Sequence, residues 1–300
     1  MNKNLFISFD PITAGQTVGI MAPSSSIDET RFAQGIEILH GVGFKTKIHP
    51  QTYAVLNQSA GTPDQKASAL HDLFIDQDVD IIMGACGGNR AAHFLHLLDY
   101  DLIRAHAKPI GGFSDITALL HALYKHASIE SYHMPTVQNL GRVDAESLNS
   151  LLTLHDPKTW NDVTIIREGI GTGKLMGGTL SMICSLIGTR YMPDYNDTIL
   201  FIEDVNEELS RIDRMMWQLR ESLPFAQLKG IIIGEFLNPA DTGRPYGFTL
   251  SDIMAEHTAK LEIPVVAGAP IGHGTRNHAL RFGTIAGITA QNGVLHLQYS

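Results

Sequence analysis

The sequence predicts an α/β protein in two parts. An N-terminal parallel-sheet, flavodoxin/Rossmann-like three-layer domain is expected over 1–140, and a linker region over 141–173. A C-terminal mixed α/β domain with a terminal hairpin follows over 174–300. Three observations carry this expectation. Strand and helix signals alternate through the first half, the arrangement that gives a parallel sheet covered on both faces. The pattern then breaks into polar, turn-rich sequence, GRVDAESLNS, HDPKTWND and REGIGTG, before apolar segments resume. Finally, apolar alternation brackets Asn292-Gly293, a strong hairpin signal.

Taken in order, TVGIMAP (17–23) reads as a buried strand and DETRFAQGIEILHGVG (28–43) as a helix. FKTKIHP (44–50) is a second strand. TPDQKASALHDLFIDQ (62–77) opens on Thr-Pro, a helix-start pair, and carries apolar residues at helical spacing. VDIIMGACGG (79–88) is a strand running into a glycine turn, and NRAAHFLHLLDY (89–100) a helix. KPIGGF then feeds the helix SDITALLHALYKHA (114–127). After the linker come the apolar segment LMGGTLSMICSLIGT (175–189), the strand TILFIEDV (198–205) and the helix LSRIDRMMWQLRES (209–222). LKGIIIGEF (228–236) and IPVVAGAPIGHG (263–274) are two more strands, separated by the helical LSDIMAEHTAK (250–260). Ligands of parallel sheets sit beyond the carboxyl ends of the strands, and the glycine turns at 84–88 and 111–115 both leave such ends.

A chain of 300 residues with 44% hydrophobic and 18% charged content has ample material for one large or two medium cores. A formal net charge of -9 and the lack of any Lys/Arg-rich run argue against nucleic acid as a partner. The N-terminal stretch MNKNLFISFDPITAG is too short in apolar residues for a secretory signal. No segment approaches the about 18 apolar residues of a membrane helix. The two cysteines, Cys86 and Cys184, form no disulfide framework. A soluble cytoplasmic protein with no membrane partner is expected.

Three strand-end positions carry side chains capable of chemistry: Ser114, Glu203 and His273. Acyl transfer by serine needs a base to take its proton and an acid to orient that base. Each residue also has a plainer role. Ser114 or Asp115 would cap the following helix, Glu203 would be an exposed strand-end charge, and His273 a turn residue between Gly272 and Gly274. Gly84-Ala85-Cys86-Gly87-Gly88 offers a rival nucleophile at Cys86, or an oxyanion cradle of unobstructed glycine amides, or a plain turn. Metals are not expected: the 14 histidines include no H-E-x-x-H, and no cysteine pair has zinc spacing. His93/His96 and His121/His126 fall in helical patterns as surface or packing residues. Gly171-Thr172-Gly173-Lys174 is too short for a phosphate loop.

Together, GIMAPSS, GACGGNRAAHFL, PIGGFSDITALL, GKLMGGTLSMICSLIGT, LFIEDVNEELSRIDRMMWQL, GIIIGEF and IPVVAGAPIGHG resemble the LD-carboxypeptidase family of serine peptidases, in family order over about residues 17–283. The resemblance implies Ser114 as nucleophile, Glu203 as orienting acid and His273 as base, with the amides of Gly88 and Asp115 receiving the oxyanion. It implies no cofactor. The substrate it implies is murein tetrapeptide or another small peptide, losing a terminal D-alanine, with an aminoacyl-nucleotide or peptide-amide substrate of the microcin C type as the nearest alternative. A non-catalytic small-ligand binder is the reading from another class. Gly87, Asn89, Arg90 and Arg276 are candidate substrate contacts, and Arg281 is a further candidate cation. Four positions depart from the family's usual residues: Cys86 and Asn89 stand where an arginine and an aromatic flank the paired glycines, Thr179 where asparagine is common, and Arg281 where proline is common. The resemblance also implies a homodimer, for which RIDRMMWQLRESL is a candidate apolar interface, although such a stripe also suits a core.

Overall fold

The structure is a computed structural model and describes residues 5–241 and 243–300. The chain forms two compact units. One comprises residues up to Leu154 together with Arg190–Pro193 and His278–Gly283; the other comprises His155–Thr189, Asp194–Asn277 and Thr284–Ser300.

In the first unit the apolar runs become β1 (Thr17–Met21), β2 (Lys45–Ile48), β3 (Ile81–Gly84), β4 (Ile110–Gly112) and β5 (Ser131–His133). They pair in parallel in the order β5-β4-β3-β1-β2. That is the doubly wound order whose switch point lies between β1 and β3. A sixth strand, Leu280–Phe282, comes from far along the chain and runs antiparallel to β5. The intervening helices are α1 (Glu29–Gly41), α2 (Pro63–Ile75), α3 (Tyr100–Ala105), α4 (Thr117–Ala127) and α5 (Ala145–Leu152). Their starts follow from short polar side chains: Asp28 accepts from Arg31 N, Thr62 and Gln65 form a capping box ahead of α2, and Asp144 accepts from Ser147 N.

The segment 89–100 is not one helix as expected. Residues Ala91–Leu97 form a 3-10 segment, Leu98 is extended, and Asp99 restarts the chain by accepting from Leu102 N at the head of α3. The interruption follows from Asp99, whose carboxylate competes for helix-terminal amides.

The second unit holds β6 (Lys158–Trp160), β7 (Thr164–Arg167), β8 (Gly169–Thr179), α6 (Leu180–Leu186), β9 (Thr198–Val205), α7 (Leu209–Ser222), β10 (Gly230–Leu237), α8 (Leu250–Thr258) and β11 (Val265–Ala267). After Leu280–Phe282, which is β12, it closes on β13 (Ile285–Gln291) and β14 (Val294–Tyr299). The sheet order is β6-β14-β13-β8-β9-β10-β11-β7. Strands β8 to β11 are mutually parallel and the flanking pairs antiparallel. β9 is buried along seven of its eight residues, as a central parallel strand covered on both faces must be. Asn292 and Gly293 both adopt left-handed backbone, which the two-residue hairpin turn requires.

The expected fold class is therefore the one observed, with a mixed second sheet and a terminal hairpin. Residues 141–173 hold α5, β6, β7 and the start of β8. β7 is an edge strand with mostly exposed side chains, so its apolar alternation is faint in the sequence. In α7, Ile212, Met216 and Leu219 are buried, so much of its apolar stripe is core, while Trp217 is left 56% exposed on the outer face.

Candidate active site

In the first unit, β4 delivers the chain through extended Phe113 to Ser114, whose φ is +63°. A non-glycine residue in left-handed backbone is strained, and such strain at a strand-to-helix turn is how a nucleophile is held out of the ladder. The N-cap position of α4 falls not on Ser114 but on Ile116, which offers no side-chain cap. Contrary to the expectation from sequence, the carboxylate of Asp115 does not serve the start of α4. It is buried and accepts from Ala91 N at 2.8 Å, securing the neighbouring turn. Burial pushes its carboxyl pKa up, opposed by the bonds it accepts and by Lys66.

The paired glycines are there for close approach. A Cβ at Gly87 would sit 2.9 Å from Ser114 Cβ, and one at Gly88, where φ is +117°, would sit 2.2 Å from Ser25 Oγ. Asn89 is already committed: its amide donates to Ser25 Oγ at 3.1 Å and its side chain to Gln58 Oε1 at 3.3 Å. Among the described residues, the amides of Gly88 and Asp115 donate to no acceptor. Lys66, 1% exposed, donates to the carbonyl of Ser24 at 2.6 Å. Burial pushes its ammonium down to about 8, against the pull of Asp115. Lys66 escaped the sequence reading, yet it shares one face of α2 with Leu70 and Leu73, and a cation at that spacing was the available signal.

Cys86 is not placed as a nucleophile. Its thiol donates to the carbonyl of Ser25 at 3.0 Å, and burial pushes it up to about 12, so the reactive thiolate is suppressed. Of the candidate cations, Arg90 (φ +82°) and Arg276 are exposed and make no side-chain hydrogen bond among the described residues. Arg281 differs: it is buried on β12, with Nε and Nη2 at 2.5 and 3.3 Å from the two carboxylate oxygens of fully buried Glu130. That pairing makes it a structural cation and withdraws it from the candidate substrate contacts.

In the second unit, Glu203 near the end of β9 is 0% exposed, the opposite of a solvent-facing strand-end charge. His273 Nδ1 lies 2.6 Å from Glu203 Oε2. The carboxylate can only accept, so Nδ1 carries the hydrogen of this bond. Gly272 makes the approach possible: at φ +142°, a Cβ there would meet Glu235 O at 3.1 Å and Glu203 Oε2 at 3.2 Å. On the neighbouring strand, the Thr179 hydroxyl donates to Glu203 Oε1 at 2.5 Å. Asp204, also buried, accepts from Ser181 N and Val205 N, both at 2.8 Å, and burial pushes it up to about 6. Sequence reasoning noted Thr179 only as a departure and overlooked Asp204. A second unit cleft of about 850 Å³, lined by Arg220, Phe225, His257 and Ile263 among others, includes neither Glu203 nor His273. Among the described residues no three His, Cys, Asp or Glu side chains group as a metal-binding set.

A strained serine at a strand end and a buried carboxylate–imidazole pair are the parts of a hydrolytic α/β enzyme. Comparison with known proteins narrows that class. Residues 18–134 match the LD-carboxypeptidase N-terminal domain and residues 172–288 the LD-carboxypeptidase C-terminal domain. The chain belongs to the LD-carboxypeptidase family, a family of peptidases. It is 29% identical over 284 residues to a probable murein peptide carboxypeptidase of Bacillus subtilis, covering 92% of this chain and 89% of the relative. It is 26% identical over 305 residues to the Escherichia coli microcin C7 self-immunity protein MccF, covering 88% and 87%. Its fold is similar to the crystal structure of muramoyltetrapeptide carboxypeptidase from Oxalobacter formigenes, with a TM-score of 0.85 and 26% identity over 95% of this chain and 99% of that one.

Proposed function

We propose that the protein is a metal-independent serine carboxypeptidase that cuts an L–D peptide bond and releases a terminal D-amino acid, D-alanine from murein tetrapeptide in cell-wall recycling. The observation that carries this reading is the fully buried Glu203 held 2.6 Å from His273 Nδ1, an arrangement that orients an imidazole as a base. In this mechanism Ser114 Oγ attacks the carbonyl carbon and His273 Nε2 takes its proton. The amides of Gly88 and Asp115, unclaimed by other acceptors among the described residues, receive the oxyanion. The proton passes to the departing amine of the D-residue, and water, activated by the same imidazole, releases the acyl group from Ser114. Glu203 stays ionised throughout. Arg90 and Arg276, exposed cations, are assigned to the substrate's free carboxylate, with Gly87 and Asn89 beside them. The same reading makes the enzyme a cytoplasmic homodimer; light scattering tests the dimer.

The identity to MccF supports a second reading, hydrolysis of an aminoacyl-nucleotide. Measuring D-alanine release from tetrapeptide alongside cleavage of an aminoacyl-sulfamoyl-adenosine separates the two. Calorimetric binding of the tetrapeptide with no turnover over hours would instead identify a small-ligand binder.

A further inference from the structure

We propose that Thr179 is a positioning residue for the acid: its hydroxyl fixes Glu203 Oε1, so that Oε2 is the oxygen presented to His273. This rests on the reading of Glu203 and His273 as the orienting acid and base.

The strand register places the two residues together. β8 and β9 are parallel neighbours in which Thr179 stands opposite Glu203, so both side chains leave the same face. Thr179 is 4% and Glu203 0% exposed. A buried carboxylate needs donors on its oxygens, and here a hydroxyl serves one (2.5 Å) and an imidazole the other (2.6 Å). A carboxylate free to rotate would offer either oxygen at a range of angles; one anchored at Oε1 offers a single oxygen in a single plane.

Thr179 also stands at the N-cap position of α6, where a threonine hydroxyl ordinarily turns back to the helix amides, yet it makes no cap bond. Asp204 Oδ2 accepts from Ser181 N in its place. The capping task has passed to Asp204 and the Thr179 hydroxyl is committed to Glu203. The charged and titratable groups around this carboxylate are His273 from the loop after β11, Glu235 from β10 and Asp204 from β9 itself.

The test follows the titration of the His273 imidazole by NMR in the full-length protein, with kcat and KM on murein tetrapeptide measured in parallel. A donor to the carboxylate stabilises its charge, so removing it makes the Glu203–His273 pair hold its proton more tightly. In Thr179→Val the His273 midpoint should rise by about half to one pH unit, with kcat reduced about 10-fold and KM unchanged. Thr179→Ser should restore both. Glu203→Gln should lower the His273 midpoint, and adding Thr179→Val to it should move the midpoint no further. Melting curves on each variant identify any that fail to fold; if Thr179→Val does, Thr179→Ala, which also removes the hydroxyl, carries the test with the same expected shifts. A midpoint unmoved in Thr179→Val, or moved equally with and without Glu203→Gln, overturns the assignment of Thr179. A midpoint indifferent to Glu203→Gln itself overturns the acid–base reading instead.

Discussion

Replacing Arg281 with methionine should cost this protein a large part of its stability and little of its affinity for substrate. The guanidinium meets Glu130 through Nε at 2.5 Å and Nη2 at 3.3 Å, and Glu130 also accepts from Phe9 N at 3.0 Å. The side chains are 9% and 0% exposed, so water cannot stand in for the lost cation. Breaking a buried pair from one side leaves an uncompensated charge, a loss of about 3–5 kcal/mol. Methionine refills much of the aliphatic stem, so the cavity contribution is small. Against a total stability of about 5–15 kcal/mol this is severe, and with an m-value of about 3 kcal/mol/M it lowers the urea midpoint by roughly 1 M or more. The double variant Arg281→Met/Glu130→Leu should recover most of the loss, because no charge is then stranded. The assay is urea unfolding followed by tryptophan fluorescence, with KM for tetrapeptide measured on the folded fraction. An Arg281→Met protein with a wild-type midpoint and a KM raised tenfold would refute this reasoning and return Arg281 to the substrate's carboxylate.

Three further outcomes are expected. Ser114→Ala and His273→Ala should each lower turnover on the order of 10⁴-fold, and the double variant little more, as the proposed triad requires of residues acting as one unit; losses that multiply in steady-state assays would break the triad assignment. Cys86→Ala should keep near-normal activity, and iodoacetamide at pH 8 should leave Cys86 unlabelled by mass spectrometry, since its thiol is pushed up to about 12. Asp204 has its folded pKa raised from 3.8 to about 6, so its contribution to stability is full below about pH 4 and is lost as pH rises through 6. That contribution is on the order of 3 kcal/mol, so urea midpoints of Asp204→Asn should fall less than those of the wild type between pH 4 and 7.

The parts legible in the sequence are those whose signal is local. Thr62-Pro63 marks the start of α2, TILFIEDV coincides with β9, and Asn292-Gly293 sits in the turn between β13 and β14. The ends of β4 and β9 carrying Ser114 and Glu203 were visible for the same reason, since each interrupts an apolar run. The strand expected over 263–274 is only Val265–Ala267, and His273 lies in the loop beyond it, where Gly268, Pro270 and Gly272 break the extended ladder. What stayed hidden depends on partners distant in the chain. Arg281 reads as a free cation until β12 is placed beside β5, 151 residues from its partner Glu130 in sequence. Lys66 looks like a surface residue until Ser24 is folded over it, and Thr179 gains its role only from a register between two strands. The 3-10 segment Ala91–Leu97 carries helical apolar spacing, and only the competing carboxylate of Asp99 shows where the true helix begins.

The late position of β12 governs how the chain can be made. During synthesis β1 to β5 leave the ribosome before the strand that completes their sheet, Leu280–Phe282, and can pair among themselves without it. Until then the outer edge of β5 presents unpaired amides and carbonyls, the kind of surface that recruits other chains. The nascent chain therefore carries an open sheet until Leu280–Phe282 emerges, and pairings of such long sequence separation form slowly. The same Leu280–Phe282 segment follows His273 by only a few residues, so the strand that closes the edge is translated just after that histidine. A chain released before Leu280 is made keeps that edge open, so the burden of keeping the unfinished sheet apart from its neighbours falls on the cell's chaperones.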